Sequence, residues 1–445
     1  MIFDQILPET IKILGLHRNL IEQLEWLVIN RDLNSRVRLI VPEAVECDET
    51  LRAGIMTVAR DLSSRLGPHA YPPEIAVLYE ARRDFACRGG ATYTLSEFKD
   101  VWVVDRLATE ANWARIEPET QGVPRIVFFS IKGGVGRSAA LAATAWKLAE
   151  EGKRVLVLDL DLESPGLSTA LLPADRQPTF GITDWLVEDL VDNTTEIFNN
   201  MVATSALSHD GEIYVVPAHG ANPGEYVAKL GRVWMPKLMA DGTREAWSTR
   251  LGRLLQNLEE SICPDVIMID SRSGIDDIAS ACITDIGATL VLLFALEGEQ
   301  TWNGYRMLFE QWQRAEVAEA IRGRLQVVGA LVPEWDGADY FHDLCDHAYE
   351  LFVDTLYDEI APPESDTIGI ETDGEGKWRV GDLVEGWSFD EADEDAPHYP
   401  WEVKWHRNWT GRRSLHKRLA TIEYQEIDFI FGPLVNGISN VVGSE

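Results

Sequence analysis

The stretch from Pro124 to Gly152 leaves this chain few ways to fold. An apolar run, Ile126-Val-Phe-Phe129, leads into Ser130-Ile-Lys132-Gly133-Gly134-Val135-Gly136-Arg137-Ser138, and a segment rich in alanine and leucine follows from Ala139 to Glu150. The first part reads as a buried strand and the last as a helix, with Gly152 as its C-terminal stop. Glycines between a strand and a helix let the backbone curl until successive N–H groups point to one side. The helix start adds partial positive charge at the same place, so the loop is a cradle for phosphate oxygens. Ser138 stands where a hydroxyl reaches a divalent cation beside such oxygens. Lys132 and Arg137 put one cation at each end of the loop.

Two later runs deliver acids. Arg154-Val-Leu-Val-Leu-Asp159-Leu-Asp161 is a strand pattern ending in two aspartates, followed by Leu-Glu163-Ser-Pro165-Gly166. Val266-Ile-Met-Ile269-Asp270-Ser271-Arg272-Ser273-Gly274 is another, with one carboxylate at the end of a hydrophobic strand. That is the arrangement by which a hard anion is offered to Mg²⁺ or its water. Strand patterns recur at 213–216, 289–293 and 325–330, alternating with helical ones, which implies a parallel sheet covered on both faces.

In this order the motifs resemble the ParA/MinD/nitrogenase-iron-protein class of P-loop ATPases, whose deviant Walker A loop reads K-G-G-x-G-K-[ST]. The resemblance covers roughly residues 124–335. It implies an α/β fold with a mostly parallel sheet and helices on both faces, and it implies ATP and Mg²⁺ as cofactors. It places nucleotide on Lys132, Gly133, Gly134, Val135, Gly136, Arg137, Ser138 and Ala139, and metal on Ser138, Asp161 and Asp270. Lys132 would act in trans, reaching the partner's nucleotide in a homodimeric sandwich, and Asp161 would orient the attacking water.

The chain departs from that pattern at three points. Arg137 stands where the loop lysine is expected; a planar fork does not fit where a compact ammonium does, so binding is better supported than fast hydrolysis. A subset of ParA-like proteins carries this K-G-G-V-G-R form. The last strand, Gly329-Ala-Leu-Val-Pro333-Glu-Trp-Asp336, lacks the asparagine that reads adenine in the family, leaving Asp336 or backbone near Pro333 to serve. Arg272 follows the second acid directly; it is read as a catalytic cation for the terminal phosphate, against an ion pair with Asp276 or Asp277.

Around this centre the sequence suggests a small α+β regulatory or partner-binding domain at 1–120, the ATPase domain at 121–345, and an acidic insert with closing helices at 346–445. Apolar spacing predicts helices over 9–30, 49–66, 400–419 and 423–441, the last interrupted at Gly432-Pro433. Trp401, Trp405 and Trp409 would form one stripe of the 400–419 helix. That stripe reads as packing, or with the basic cluster through Arg418 as a DNA surface at 404–418. His342-Asp-Leu-Cys345-Asp-His347 reads as ordinary helix rather than a metal site.

The 445 residues hold 40 Lys and Arg against 73 Asp and Glu, a formal charge of −33. Such a field opposes wholesale DNA tracking. No apolar run spans a bilayer, and the apolar tail after Ile427 has no cation with which to bind one, so no membrane partner is expected. The first residues carry no basic leader pattern, and five scattered cysteines read as reduced thiols, so a cytoplasmic setting is expected. The resulting expectation is a slow ATPase that switches by dimerising and signals to a protein partner through its N-terminal domain. The alternative is a non-hydrolysing adaptor in a partition or conflict system.

Overall fold

The computed structural model describes residues 1–107, 112–358, 386–407, 409 and 415–443. Two sheets organise it. The first comprises β1 (Leu27–Arg31), β2 (Val37–Pro42), β3 (Val77–Glu80), β4 (Ala91–Thr94) and β5 (Val101–Asp105), in the order β3-β2-β1-β5-β4. The β1–β2 and β4–β5 pairs are antiparallel and the others parallel. Helices Ile6–Leu16 and Glu49–Leu66 cover one face through Ile13, Leu14, Ile55, Val58 and Leu62. Asp48 caps the second helix by accepting from the N–H groups of Thr50 and Leu51. A single helix over 9–30 does not form. It ends at Leu16, a short turn of helix spans Arg18–Ile21, and the last residues become β1. Leu27, Val28 and Ile29 are buried on both sides, and sheet pairing overrides a local period that suits either structure.

The second sheet has eight strands: β6 (Arg125–Ser130), β7 (Arg154–Asp159), β8 (Ala203–Thr204), β9 (Glu212–Val216), β12 (Val266–Asp270), β13 (Leu290–Ala295), β14 (Leu325–Val332) and β15 (Trp401–Lys404). A two-residue hairpin, β10 (Lys237–Leu238) and β11 (Arg244–Glu245), lies outside it. The order is β15-β14-β13-β6-β12-β7-β9-β8, and every pair is parallel except β8–β9. Side chains alternate along β6. Val127 and Phe129 enter a core shared with helices Trp247–Ile262, Glu299–Arg314 and Gly337–Thr355. Ile126 and Phe128 enter the opposite core, shared with helices Arg137–Glu150 and Tyr424–Gly443. A parallel sheet sandwiched this way must be apolar throughout, and β12 and β13 are buried at every residue.

Two expectations for the C-terminal region change. Residues 401–404 are strand β15, pairing in parallel with β14, so the three tryptophans do not share a helical stripe. Free hydrogen-bonding groups on the edge of β14 outweigh the helical spacing. The final helix runs through Gly432-Pro433 without interruption. Its buried face, including Ile427, Ile430, Phe431, Leu434, Val435 and Ile438, holds it against the sheet despite the missing proline N–H.

Candidate nucleotide site

Parallel strands that leave a common strand in opposite directions open a crevice at their carboxyl ends. Here β6 lies between β12 and β13, and the glycine loop begins where β6 ends. Gly134 and Gly136 take φ of +79° and +82°, a region open to glycine and strained for other residues. At Gly136 a side chain would also stand 3.1 Å from Leu331. Gly136 ends the loop and helix Arg137–Glu150 starts at the next residue, so its free N–H groups face the curl.

A cavity of about 430 Å³ opens over this loop. Gly133 through Ala139 form its floor, with Ser130, Asp161 and Ser273 beside them. The far wall comes from the other end of the chain: Val403, Lys404, His406, Trp409 and Phe431, with Leu331 between. Leu331 holds a φ of +53° where the β14–β15 register shifts between Gly329 and Val332. Trp409 meets Phe431 edge to face at 4.8 Å and donates from its indole N–H to Glu426. Sequence reasoning missed this wall, and its one signal was the density of aromatic and cationic residues after Trp401. Asp336 does not line the cavity. Pro333 lines a neighbouring one of about 460 Å³ that shares Lys404 with the first.

Acids gather at the carboxyl ends of β7 and β12. Asp270 and Asp159 sit opposite each other at the ends of β12 and β7. Ser138 donates to Asp270 Oδ2 at 2.5 Å. Asp159 is fully buried; one oxygen accepts from the N–H groups of Gly166 and Ser168, and the other has no partner. Burial, reinforced by the charge of Asp270, pushes its carboxyl up to about 8. Burial also raises Asp161, and the guanidinium of Arg137 partly opposes the rise.

Lys132 is exposed at the start of the loop and has no hydrogen-bond or ion-pair partner among the described residues. Arg137 is turned the other way. Its Nε donates to Asp270 Oδ1 at 2.6 Å and its Nη1 to Ser130 Oγ at 3.0 Å, while Nη2 stands 3.6 Å from Asp161. The guanidinium therefore lies among the carboxylates. Arg272 pairs with Glu163 at 2.5 Å and with Asp276 at 3.0 Å, joining the loop after β7 to the loop after β12. The ion-pair reading of Arg272 is the one present, and it does not line the cavity.

Ser138, Asp270 and Asp161 are hard oxygen donors that suit Mg²⁺, which takes one or two carboxylates together with substrate phosphates. Among the described residues no three His, Cys, Asp or Glu side chains form a metal site by themselves, the His342–His347 segment included. The latter lies within helix Gly337–Thr355, as expected. In the basic cluster, Arg418 is tied to Glu426, and Arg412 and Arg413 lie outside the described residues. No described helix is long and apolar enough to cross a membrane.

Residues 124–203 match the family model for the anion-transporting ATPases (ArsA_ATPase). The chain is 42% identical over 64 residues to an iron-sulfur cluster carrier protein of Salmonella typhimurium, covering 14% of this chain and 17% of that one. It is 51% identical over 41 residues to the arsenical pump-driving ATPase of Escherichia coli, covering 9% and 7%. Both matches thus span less than a fifth of the relative's own length. A ParA family ATPase from Chlorobium tepidum superposes with a TM-score of 0.35 at 14% identity, over 50% of this chain and 80% of the other. Over residues 124–203 the chain is thus similar in sequence to the anion-transporting ATPases, and the stretch includes the loop Lys132-Gly-Gly-Val-Gly-Arg-Ser138.

Proposed function

We propose that the chain is an ATP-dependent switch that dimerises around nucleotide, hydrolyses it slowly and reports its state to a protein partner. The observation that carries this reading is the open cavity over the glycine loop, with an exposed lysine at the start of that loop that has no ion-pair partner among the described residues. The N–H groups of the loop and of the helix start bind the phosphates, and Ser138 with Asp270 are the residues that would hold Mg²⁺. The metal supplies charge neutralisation at the phosphate oxygens when bound. Asp161 orients water, and Lys132 reaches the nucleotide of a second copy. The base lies against the wall formed by His406 and Trp409.

Arg272, bound to the loop after β7 and the loop after β12, couples their positions rather than touching phosphate. A groove of about 1120 Å³ between the first sheet and helix Glu299–Arg314 supports the N-terminal region as the partner's site. It is lined by Leu7, Ile11 and Tyr93 on one side and by Trp113 and Arg314 on the other. Five free cysteines are consistent with a reducing, cytoplasmic setting.

A second reading, an adaptor that binds ATP without turnover, is favoured by one observation: the guanidinium of Arg137, in the cavity floor, is already engaged by Asp270 and Ser130. Single-turnover hydrolysis separates the two. The native chain should release phosphate and Asp161→Ala should not; silence from both supports the adaptor. Sedimentation with a non-hydrolysable ATP analogue tests the lysine. The native chain should dimerise, and Lys132→Ala should bind nucleotide yet stay monomeric with an unchanged melting temperature. Calorimetry showing no heat with ATP, ADP or GTP ends both readings.

A further inference from the structure

Arg137 occupies a place that the loop motif does not foretell. Three of its nitrogens face oxygens of Asp270, Ser130 and Asp161, and the residue is only 7% exposed. Asp270 is 1% exposed and has no oxygen to spare: one accepts from Arg137 and the other from Ser138. Asp270, Ser138 and Asp161 are also the oxygen donors that would hold a divalent ion. A guanidinium and a divalent cation answer the same need there, neutralising carboxylates withdrawn from water. They cannot share the space.

We propose that Arg137 is an internal counter-ion that holds the metal's place, so that a divalent cation enters only when the guanidinium leaves. The part concerning the empty-handed protein stands on geometry alone. The part concerning what draws Arg137 away rests on the proposed function: a polyphosphate in the adjoining loop offers the guanidinium a bidentate partner, and its departure frees Asp270 and Ser138. Binding of metal and of nucleotide would then be strongly coupled. A lysine in the same position would carry a compact ammonium whose three donors share one nitrogen and would lack the planar fork that spans Asp270, Ser130 and Asp161 here.

Mn²⁺ is the probe, since it takes the same oxygen donors as Mg²⁺ and is read directly by electron paramagnetic resonance. The acidic surface binds Mn²⁺ non-specifically, so the quantity measured is the site lost on adding Asp270→Asn. Without nucleotide, the native chain should show no Asp270-dependent site. Arg137→Met should show one, at least about tenfold tighter than any Asp270-dependent binding in the native chain. Arg137→Gln, which keeps a polar group in the pocket, is the second variant should the first fail to fold by circular dichroism. An Asp270-dependent site in the native chain, or none in a folded Arg137 variant, overturns the proposal. With a non-hydrolysable ATP analogue present, the native chain should acquire the site. Its failure to do so, with the variants behaving as expected, upholds the counter-ion and counts against the nucleotide reading.

Discussion

Asp159 shows what a single residue carries in this site. Its carboxyl is raised to about 8 because it is fully buried beside Asp270. A folded-state value above the unfolded one means that the native protein binds the extra proton. Stability from that proton is full below about pH 4 and is lost as pH rises through about 8. Asp159→Asn should flatten this fall, as measured by urea unfolding of both proteins between pH 5 and pH 9. An equal slope in the variant would place the titration elsewhere. The acids, the loop and Lys132 were all legible in the sequence, because each is defined by its neighbours along the chain. The partners of Arg137 were not. They depend on β12 lying beside both β6 and β7, which brings Asp270 and Asp161 to a residue far from either in sequence. Breaking that pair by Asp270→Ala leaves a buried guanidinium without its main partner and should cost about 3 kcal/mol or more in urea unfolding.

At the scale of elements, the deciding contact is between β15 and the final helix. Gly437 packs so tightly on Trp401 that an added Cβ would lie 2.4 Å from the indole. Gly437→Ala should therefore destabilise the chain by about 1–3 kcal/mol, and hydrogen exchange should show the helix Tyr424–Gly443 opening first. The same packing carries Lys404, His406 and Trp409 to the cavity, so the variant should also weaken nucleotide binding. Helix 49–66 and most strands of the second sheet were visible as apolar patterns bounded by glycine or proline. The segments 27–31 and 401–404 were not. Each is a short run of apolar and aromatic residues that fits a helix or a strand, and only an available strand edge decides between them.

For the whole molecule, charge sets what approaches it. A formal −33 repels a phosphate backbone, and Arg418 is already bound to Glu426. At about 0.15 M salt, duplex DNA should show no ATP-dependent mobility shift with the native chain; a shift that vanishes on Lys404→Ala would restore the DNA surface at 404–418. By itself the sequence determined the α/β class, the position of the glycine loop between a strand and a helix, and the strands that end in acids. These follow from short-range rules: apolar periodicity, the turn freedom of glycine and the order of motifs along the chain. Tertiary structure alone decided that Val403, Lys404, His406, Trp409 and Phe431 close the cavity over the glycine loop and that an arginine sits among the carboxylates of Asp161 and Asp270. Both depend on which strand ends become neighbours in the sheet, and local spacing holds no record of that.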